Sequence, residues 1–299
     1  TLTADEKVTL VVTVKKGDKT NSKEIVFTVH KLEVTSVADF LEAKEKDVPS
    51  LLHGYITAVN KVGSAGSFVL TDLNGDSIFC YTSVEVELGS EVKLLAVYAV
   101  NNDHPQLGNP EVIEVISTEN DAASKSGEVV SVTAAQIKEN VTAKTRPEVI
   151  SIYAGKYLEI TGYVVANGSN YGVAATADAS YVVNIYANSD LKSEIAKYLG
   201  QEVKLYGFSR GVYVGETGSL TIQAQSVAEI PLTDPQAVAD FEANSVAFES
   251  TYKAGEVVLP TAKKFTDVVL SYVVKSGAEN ASIVDGKLVL VADGAVNKE

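Results

Sequence analysis

One pattern occurs twice in this chain, and it limits the folds open to it. The first copy runs from His53 to Val97: HGYITAVN, a glycine-rich break, SFVLTD, the turn LNGD, SIFCYTS and LGSEVKLLAV. The second reads TGYVVANG, YGVAATA, SYVVNIYAN and LGQEVKLYGF. Gly54 maps to Gly162 and Gly89 to Gly200, offsets that differ by only a few residues. Apolar residues recur at period two, and Asn74-Gly75 is placed where a two-residue hairpin turn takes positive φ. A tandem repeat of one small β-domain is the consequence, with other segments flanking it.

The 299 residues suffice for two to four small domains, and 45% hydrophobic content is too high for disorder. With 39 acidic against 25 basic residues the net charge is −14, which disfavours a broad phosphate-binding surface. Only Arg146 and Arg210 supply guanidinium groups, so nucleic acid is an unexpected partner. No apolar run is long enough for a membrane span. The chain starts at Thr1 and has no methionine, as a processed product or a fragment would, and an exported, extracellular or cell-surface location is expected. Cys80 is the single cysteine; it lies in alternate phase to Phe79 and Tyr81 and is expected in the core.

Residues 7–14 and 23–29 alternate around the turn-forming KKGDKTNS, predicting a hairpin with one wet and one dry face. Helical spacing over VTSVADFLEAK puts Val37, Phe40 and Leu41 on one face, with Ser36 and Asp39 placed for an N-cap. NNDHPQLGNP reads as a proline-punctuated loop before a last strand, VIEVIS. ENDAASKSG, residues 119–127, reads as a linker. VTAAQIKENV is a second short helix, and SDLKSEIAKY a third, capped by Ser189 or Asp190 and plugging the open end of the second barrel. Repeat one has only SVEVE in that place. Beyond PLTDP, the pieces ADFEANSVAF, GEVVLPT, FTDVVLSYVV and ASIVDGKLVLV read as strands, with Asp285-Gly286 as the clearest turn.

GYITAVN…SFVLTDLNGDSIFCYT and GYVVANG…YVVNIYAN resemble the tandem OB-fold domains of exported bacterial nucleases and lipoproteins. GEVVLPTAKKFTDVVLSYVVKSGAENASIVDGKLVLV resembles the first half of a bacterial immunoglobulin-like surface domain, and TLTADEKVTLVVTVKKGDKTNSKEIVFTVH the second half. The resemblance implies an all-β chain: two tandem OB-fold Greek-key barrels, 34–118 and 130–230, flanked by partial β-sandwich segments, 1–31 and 240–299. It also implies a ligand face over the second and third strands of each barrel. Candidates there are Thr71, Phe79 and Tyr81 in repeat one, with Asn184 and Tyr186 in repeat two; Tyr98, with Phe79 and Tyr81, and Tyr206, with Tyr186, make up the ligand-facing aromatic sets of the two repeats.

No HExxH, paired CxxC, GxSxG or phosphate-loop motif occurs, so neither catalysis nor a cofactor or metal is expected. His30, His53 and His104 are far apart in sequence, and Asp103, His104 and Asn109 would meet on an ion only if their loop folded back. Asp72-Leu-Asn-Gly-Asp76 lacks the sixth-position glycine and twelfth-position acid of a calcium loop and reads as a turn. The expected role is structural: a unit of a fibre, surface layer or stalk, joined head to tail through its two ends. Val8, Leu10, Val12, Val14, Ile25, Phe27 and Val29 would meet Val257, Leu259, Val269, Ile283, Leu288 and Leu290 of a neighbouring copy or repeat. The alternative is an accessory nucleic-acid- or glycan-binding module of an exported hydrolase.

Overall fold

The computed structural model describes residues 6–29, 32–62, 65–248, 252, 254–262, 264–265, 267–278 and 280–291. The chain divides into two compact units, Thr1–Glu229 and Ile230–Glu299, and its architecture is β-dominated.

The first unit opens with the hairpin β1 (Glu6–Lys16) and β2 (Lys19–Val29), turning at Gly17-Asp18 with Gly17 at positive φ. Register pairs Val8 with Phe27, Leu10 with Ile25 and Val12 with Lys23, so the predicted apolar face exists. It is not dry: every residue of both strands is exposed.

Helix α1 (Val37–Ala43) follows, with Ser36 Oγ accepting from Asp39 N at 3.0 Å and Val37 and Phe40 buried as expected. Then β3 (Ser50–Val62), β4 (Ala65–Asp72), β5 (Ser77–Thr82), β6 (Glu91–Asn101) and β7 (His104–Ser117) close a barrel in the order β3-β4-β5-β7-β6. Strands β5 and β7 run parallel and the others antiparallel, an OB-like arrangement. Inside lie Leu52, Ile56, Phe68, Leu70, Cys80 and Leu94. Cys80 is fully buried, and burial pushes its thiol up to about 12.

Two local expectations need correction. The β4–β5 turn is not a two-residue Asn-Gly turn: Gly75 alone takes positive φ, and the register closes at Thr71–Ser77. The buried Asp72 carboxylate decides this. Its Oδ1 accepts from Asn74 N and Asp76 N at 2.9 and 3.0 Å, and its Oδ2 accepts from Val37 N at 2.8 Å. Three backbone donors are thereby satisfied, tying α1 to the barrel. Likewise NNDHPQLGNP is largely strand. Asn102 and Asp103, both at positive φ, make the tight turn, and Asn109-Pro110 falls at a register shift where a proline costs no ladder bond.

Residues 119–127 are not a loose linker. Asn120 Nδ2 donates to Gly89 O at 2.7 Å, Ser126 is fully buried, and Gly127 lies against the Gly75 backbone, where a Cβ would sit 2.4 Å from the carbonyl oxygen.

The second repeat comprises β8 (Val129–Thr133), α2 (Ala134–Ala143), α3 (Arg146–Tyr153), β9 (Tyr157–Asn167), β10 (Asn170–Ala174), β11 (Val183–Tyr186), α4 (Ser189–Ala196), β12 (Glu202–Tyr213) and β13 (Ser219–Glu229). Its six strands are ordered β10-β11-β13-β12-β9-β8, and β10 also pairs with β9. Thr133 and Gln136 form a capping box for α2. The sequence reading missed α3, although Pro147 in its first turn and Glu148 Oε2, accepting from Thr145 N at 2.8 Å, are start signals. Helix α4 buries Leu191 and Ile195 as expected, but Asn188 is its cap, accepting from Leu191 N at 2.9 Å.

The repeat anchors superimpose chemically. Gly89 and Gly200 both take positive φ; their N–H groups donate to Ile56 O and Val164 O, each at 2.8 Å. Ile56 N and Val164 N donate back to Ser90 O and Gln201 O. Gly54 and Gly162 mark the close approach of the first strand to the second: a Cβ would fall 2.3 Å from Thr71 O and 2.6 Å from Val173 Cγ1.

In the second unit ADFEANSVAF is not a strand but most of α5 (Pro235–Ser245). Val238 N donates to Asp234 O, and the buried Glu242 carboxylate accepts from Lys264 N and Phe265 N at 2.7 and 2.8 Å. Three short strands, β14 (Gly255–Val258), β15 (Ala281–Val284) and β16 (Lys287–Leu290), form one sheet ordered β14-β16-β15. Asp285 and Gly286 both take positive φ, the turn expected there. The described residues of FTDVVLSYVV are in no ladder. From Asp267 to Lys275 its residues alternate between exposed and half-buried, yet they pair with no strand among the described residues.

Candidate functional site

Strands β3, β4 and β5 turn one set of side chains into the first barrel and the other set outward. The second repeat covers part of the outward set. Ala58, Val69 and Phe79 pack with Tyr157 and Phe208, whose rings stack with centroids 5.1 Å apart, and Tyr206 flanks them. Around this patch Gln225 Nε2 donates to Thr57 O and Ser126 Oγ at 2.6 and 2.7 Å, and Tyr157 donates to Gln225 Oε1. Ser67 Oγ donates to Gln223 Oε1 at 2.9 Å.

Arg210 sits at this seam. Its guanidinium carbon lies 4.8 Å from the centre of the Phe79 ring and 4.1 Å from that of Tyr186. Nη1 donates to Gln223 Oε1 at 3.3 Å and, more weakly, to Ser67 Oγ at 3.5 Å. Among the described residues no carboxylate lies within ion-pair distance of it, unlike Arg146, which reaches Asp103 at 3.9 Å. Burial pulls the Arg210 pKa down while the Tyr186, Tyr81 and Tyr213 hydroxyls, within electrostatic reach, hold it up. A guanidinium stays charged under such a shift. The seam also holds polar atoms without a partner: Gln223 Nε2, on a side chain with no exposed surface, and Thr221 Oγ1. Asn60, opposite Ser67 in register, leaves both of its amide atoms unpaired.

His104 borders the same seam. Its Nε2 lies 3.2 Å from Ser209 Oγ and its Nδ1 3.1 Å from Pro105 O. Burial, reinforced by the Arg210 charge and opposed by the Pro105 carbonyl, brings the ring down to about 4, so it is neutral at pH 7. His53 pairs with Glu91 at 2.8 Å, and His30 lies outside the described residues. No group of His, Cys, Asp and Glu among the described residues is placed to hold a metal ion.

The seven expected ligand-facing residues therefore separate. Phe79 and Tyr186, one from each repeat, both approach the Arg210 guanidinium, and Tyr81, on the same face of β5 as Phe79, is half exposed at 52%. Thr71 has no exposed surface and forms the middle of a hydroxyl chain, 2.8 Å from Thr57 Oγ1 and 2.7 Å from Ser77 Oγ. Tyr98 is in the first barrel's core against Phe40. Asn184 accepts from Asn167 Nδ2 at 3.0 Å. Tyr206 donates to Glu159 Oε2 at 2.7 Å, a bond that, with burial, pushes its hydroxyl up to about 12. Arg210 itself was visible in the sequence only as a scarcity of arginine.

At one end of the first barrel, where the second repeat carries α4, a cavity of about 550 Å³ opens. Val59, Phe68, Val84, Val86, Val92 and Val112 line it. The other surface of note is the hairpin. Val8, Leu10, Val12, Val14, Ile25, Phe27 and Val29 are exposed on one face. In the second unit Val269 and Val273 are 89% and 91% exposed and Ile283 is exposed, while Val257, Leu259, Leu288 and Leu290 are half-buried.

No family model matches this chain, and no curated protein is significantly similar to it. Among the described residues no helix is long and apolar enough to cross a membrane.

Proposed function

We propose that this protein is a non-enzymatic, exported building block whose amino-terminal hairpin completes the carboxy-terminal sheet of a neighbouring copy or repeat. The observation that carries the reading is the uncovered apolar face of β1–β2. A lone two-stranded hairpin is marginal in water, and one with this face bare gains most of its stability from a second sheet. The complementary feature is the stretch from Asp267 to Lys275, which alternates as a strand does and lacks a ladder partner among the described residues. Charge favours the match: Lys7, Lys15, Lys16, Lys19 and Lys23 outnumber Glu6, Asp18 and Glu24 on the hairpin of an otherwise acidic chain. Such a contact is heterologous and propagates into a fibre or layer. The rigid middle of the unit would be a pair of OB-like barrels. The pairing cycle β9-β10-β11-β13-β12-β9 follows the strand order of the first barrel, and the shared glycine anchors support the same reading.

Sedimentation of two variants tests the polarity. Phe27→Lys disables the hairpin end and Val273→Lys the sheet end, so each chain alone is expected to stay monomeric while the unmodified chain grows with concentration. An equimolar mixture should stop at one-to-one dimers, because one intact interface remains. An unmodified chain that stays monomeric at high concentration, or variants that dimerise alone, would refute the head-to-tail reading. A second reading, an accessory ligand-binding module, is favoured by one observation only: the charged Arg210 against Phe79 and Tyr186.

A further inference from the structure

Arg210 is out of place by ordinary rules. A guanidinium carries five donors and one charge, and when buried it ordinarily meets a carboxylate. Here, in a chain with 39 acidic residues, one of the two arginines has no carboxylate partner among the described residues. Only Nη1 has a protein acceptor among the described residues, and that acceptor is the neutral Gln223 amide, with the Ser67 hydroxyl more distant. Phe79 and Tyr186 lie with their ring centres 4.8 and 4.1 Å from the guanidinium carbon, and among the described residues Nη2 and Nε have no acceptor. A merely structural clasp would not need a charge: the Ser67–Gln223 and Gln225–Thr57 bonds already tie the two repeats together with neutral groups.

We infer that the Arg210 edge is an oxyanion site, and that its ligand is a small molecule carrying a single carboxylate. A planar carboxylate matches the guanidinium fork bidentately, through Nη2 and Nε. The net charge of −14 selects for ligand size and valence: one fixed cation retains a monoanion, whereas a polyphosphate chain would meet repulsion along the rest of its length. Tyr81, half exposed and two residues along β5 from Phe79, so on the same face of the strand, supplies an aromatic face for a sugar or other ring attached to the carboxylate. The site goes beyond the assembly reading and uses none of the hairpin residues.

The probes are sodium glucuronate, glucose as its neutral counterpart, inorganic phosphate and a mixed-sequence single-stranded DNA oligonucleotide. Binding is followed by amide and arginine Nε–H chemical shifts on the full chain. Glucuronate is expected to shift Arg210 Nε–H and the amides of Phe79–Tyr81 and Tyr186 saturably at millimolar concentration, with glucose at least tenfold weaker. Tyr81→Ala, on an exposed ring, should weaken glucuronate severalfold without moving the melting temperature. Arg210→Lys, which keeps the charge but loses the fork, should weaken it about tenfold. Equal shifts from glucose and glucuronate, no saturable shift, or unchanged binding in both variants would overturn the inference. So would phosphate or DNA binding more tightly than glucuronate, since either would replace the carboxylate with a phosphate ligand.

Discussion

His104 offers a quantitative test of how tightly the two repeats close on each other. The ring ordinarily titrates at 6.5 and is held near 4 in the folded chain, chiefly by burial and further by the Arg210 charge. A base whose folded pKa is depressed takes up its proton in the unfolded chain first. Its contribution is therefore intact above pH 6.5 and is lost as the pH falls towards 4. Between pH 7 and pH 5 the unfolded ring becomes almost fully charged while the folded ring stays neutral, a loss of about 2 kcal/mol. The window is chosen to stand clear of the carboxylates. Glu148, held low by its bonds to Thr145, and Glu159, held low by Tyr206, begin to lose their contributions only as the pH falls through the ordinary carboxylate value of 4.5, below this window. The assay is urea unfolding at pH 7, 6 and 5 for the native chain and His104→Gln. Every group other than residue 104 is common to both chains, so the difference between them isolates the His104 ring. The native chain should lose about 2 kcal/mol more than the variant, with unchanged dependence on urea. Parallel losses would mean that the ring is hydrated when folded and that the seam does not exclude water.

Two further outcomes follow from single residues. Asp72→Ala strips the acceptor from three backbone N–H groups and should cost at least about 2 kcal/mol in urea or thermal unfolding, with α1 loosened first; a negligible loss would place those donors on water instead. Cys80, buried with its thiol pushed up to about 12, should resist a thiol reagent in the native chain and react at once in denaturant, and rapid native labelling would contradict the barrel register.

The parts legible in the sequence were those fixed by neighbours along the chain. Ser36 announced its helix, Asp285-Gly286 its turn, and Gly54, Gly89, Gly162 and Gly200 the repeat, because caps, positive φ and close approach are written in one or two residues. The seam was not legible. Phe79 and Tyr186 read as ligand-face candidates of separate repeats, and nothing local to either says that both will meet Arg210. Locally plausible patterns also misled. ADFEANSVAF carries enough apolar residues to pass for a strand, but Asp234-Pro235 starts a helix there. FTDVVLSYVV has the right alternation, yet a ladder needs a second strand that local sequence does not supply. Asn74-Gly75 has the composition of a two-residue turn, but the Asp72 carboxylate draws the backbone into a longer loop.

The glycine that precedes the fourth strand of each repeat acts as a mechanical stop. Gly89 and Gly200 are clamped to the first strand by the same pair of backbone bonds, so the register of β6 and β12 is set downstream of that point. Whatever the chain does between the third strand and the stop is not transmitted into the strands that follow. One repeat crosses that gap with an irregular segment from Ser83 to Leu88, the other with the helix α4, and the same pair of backbone bonds closes the gap in both. This makes the gap a splice position: a place where lineages, or designers, can exchange a short strap for a helix or a longer insert without renegotiating the sheet.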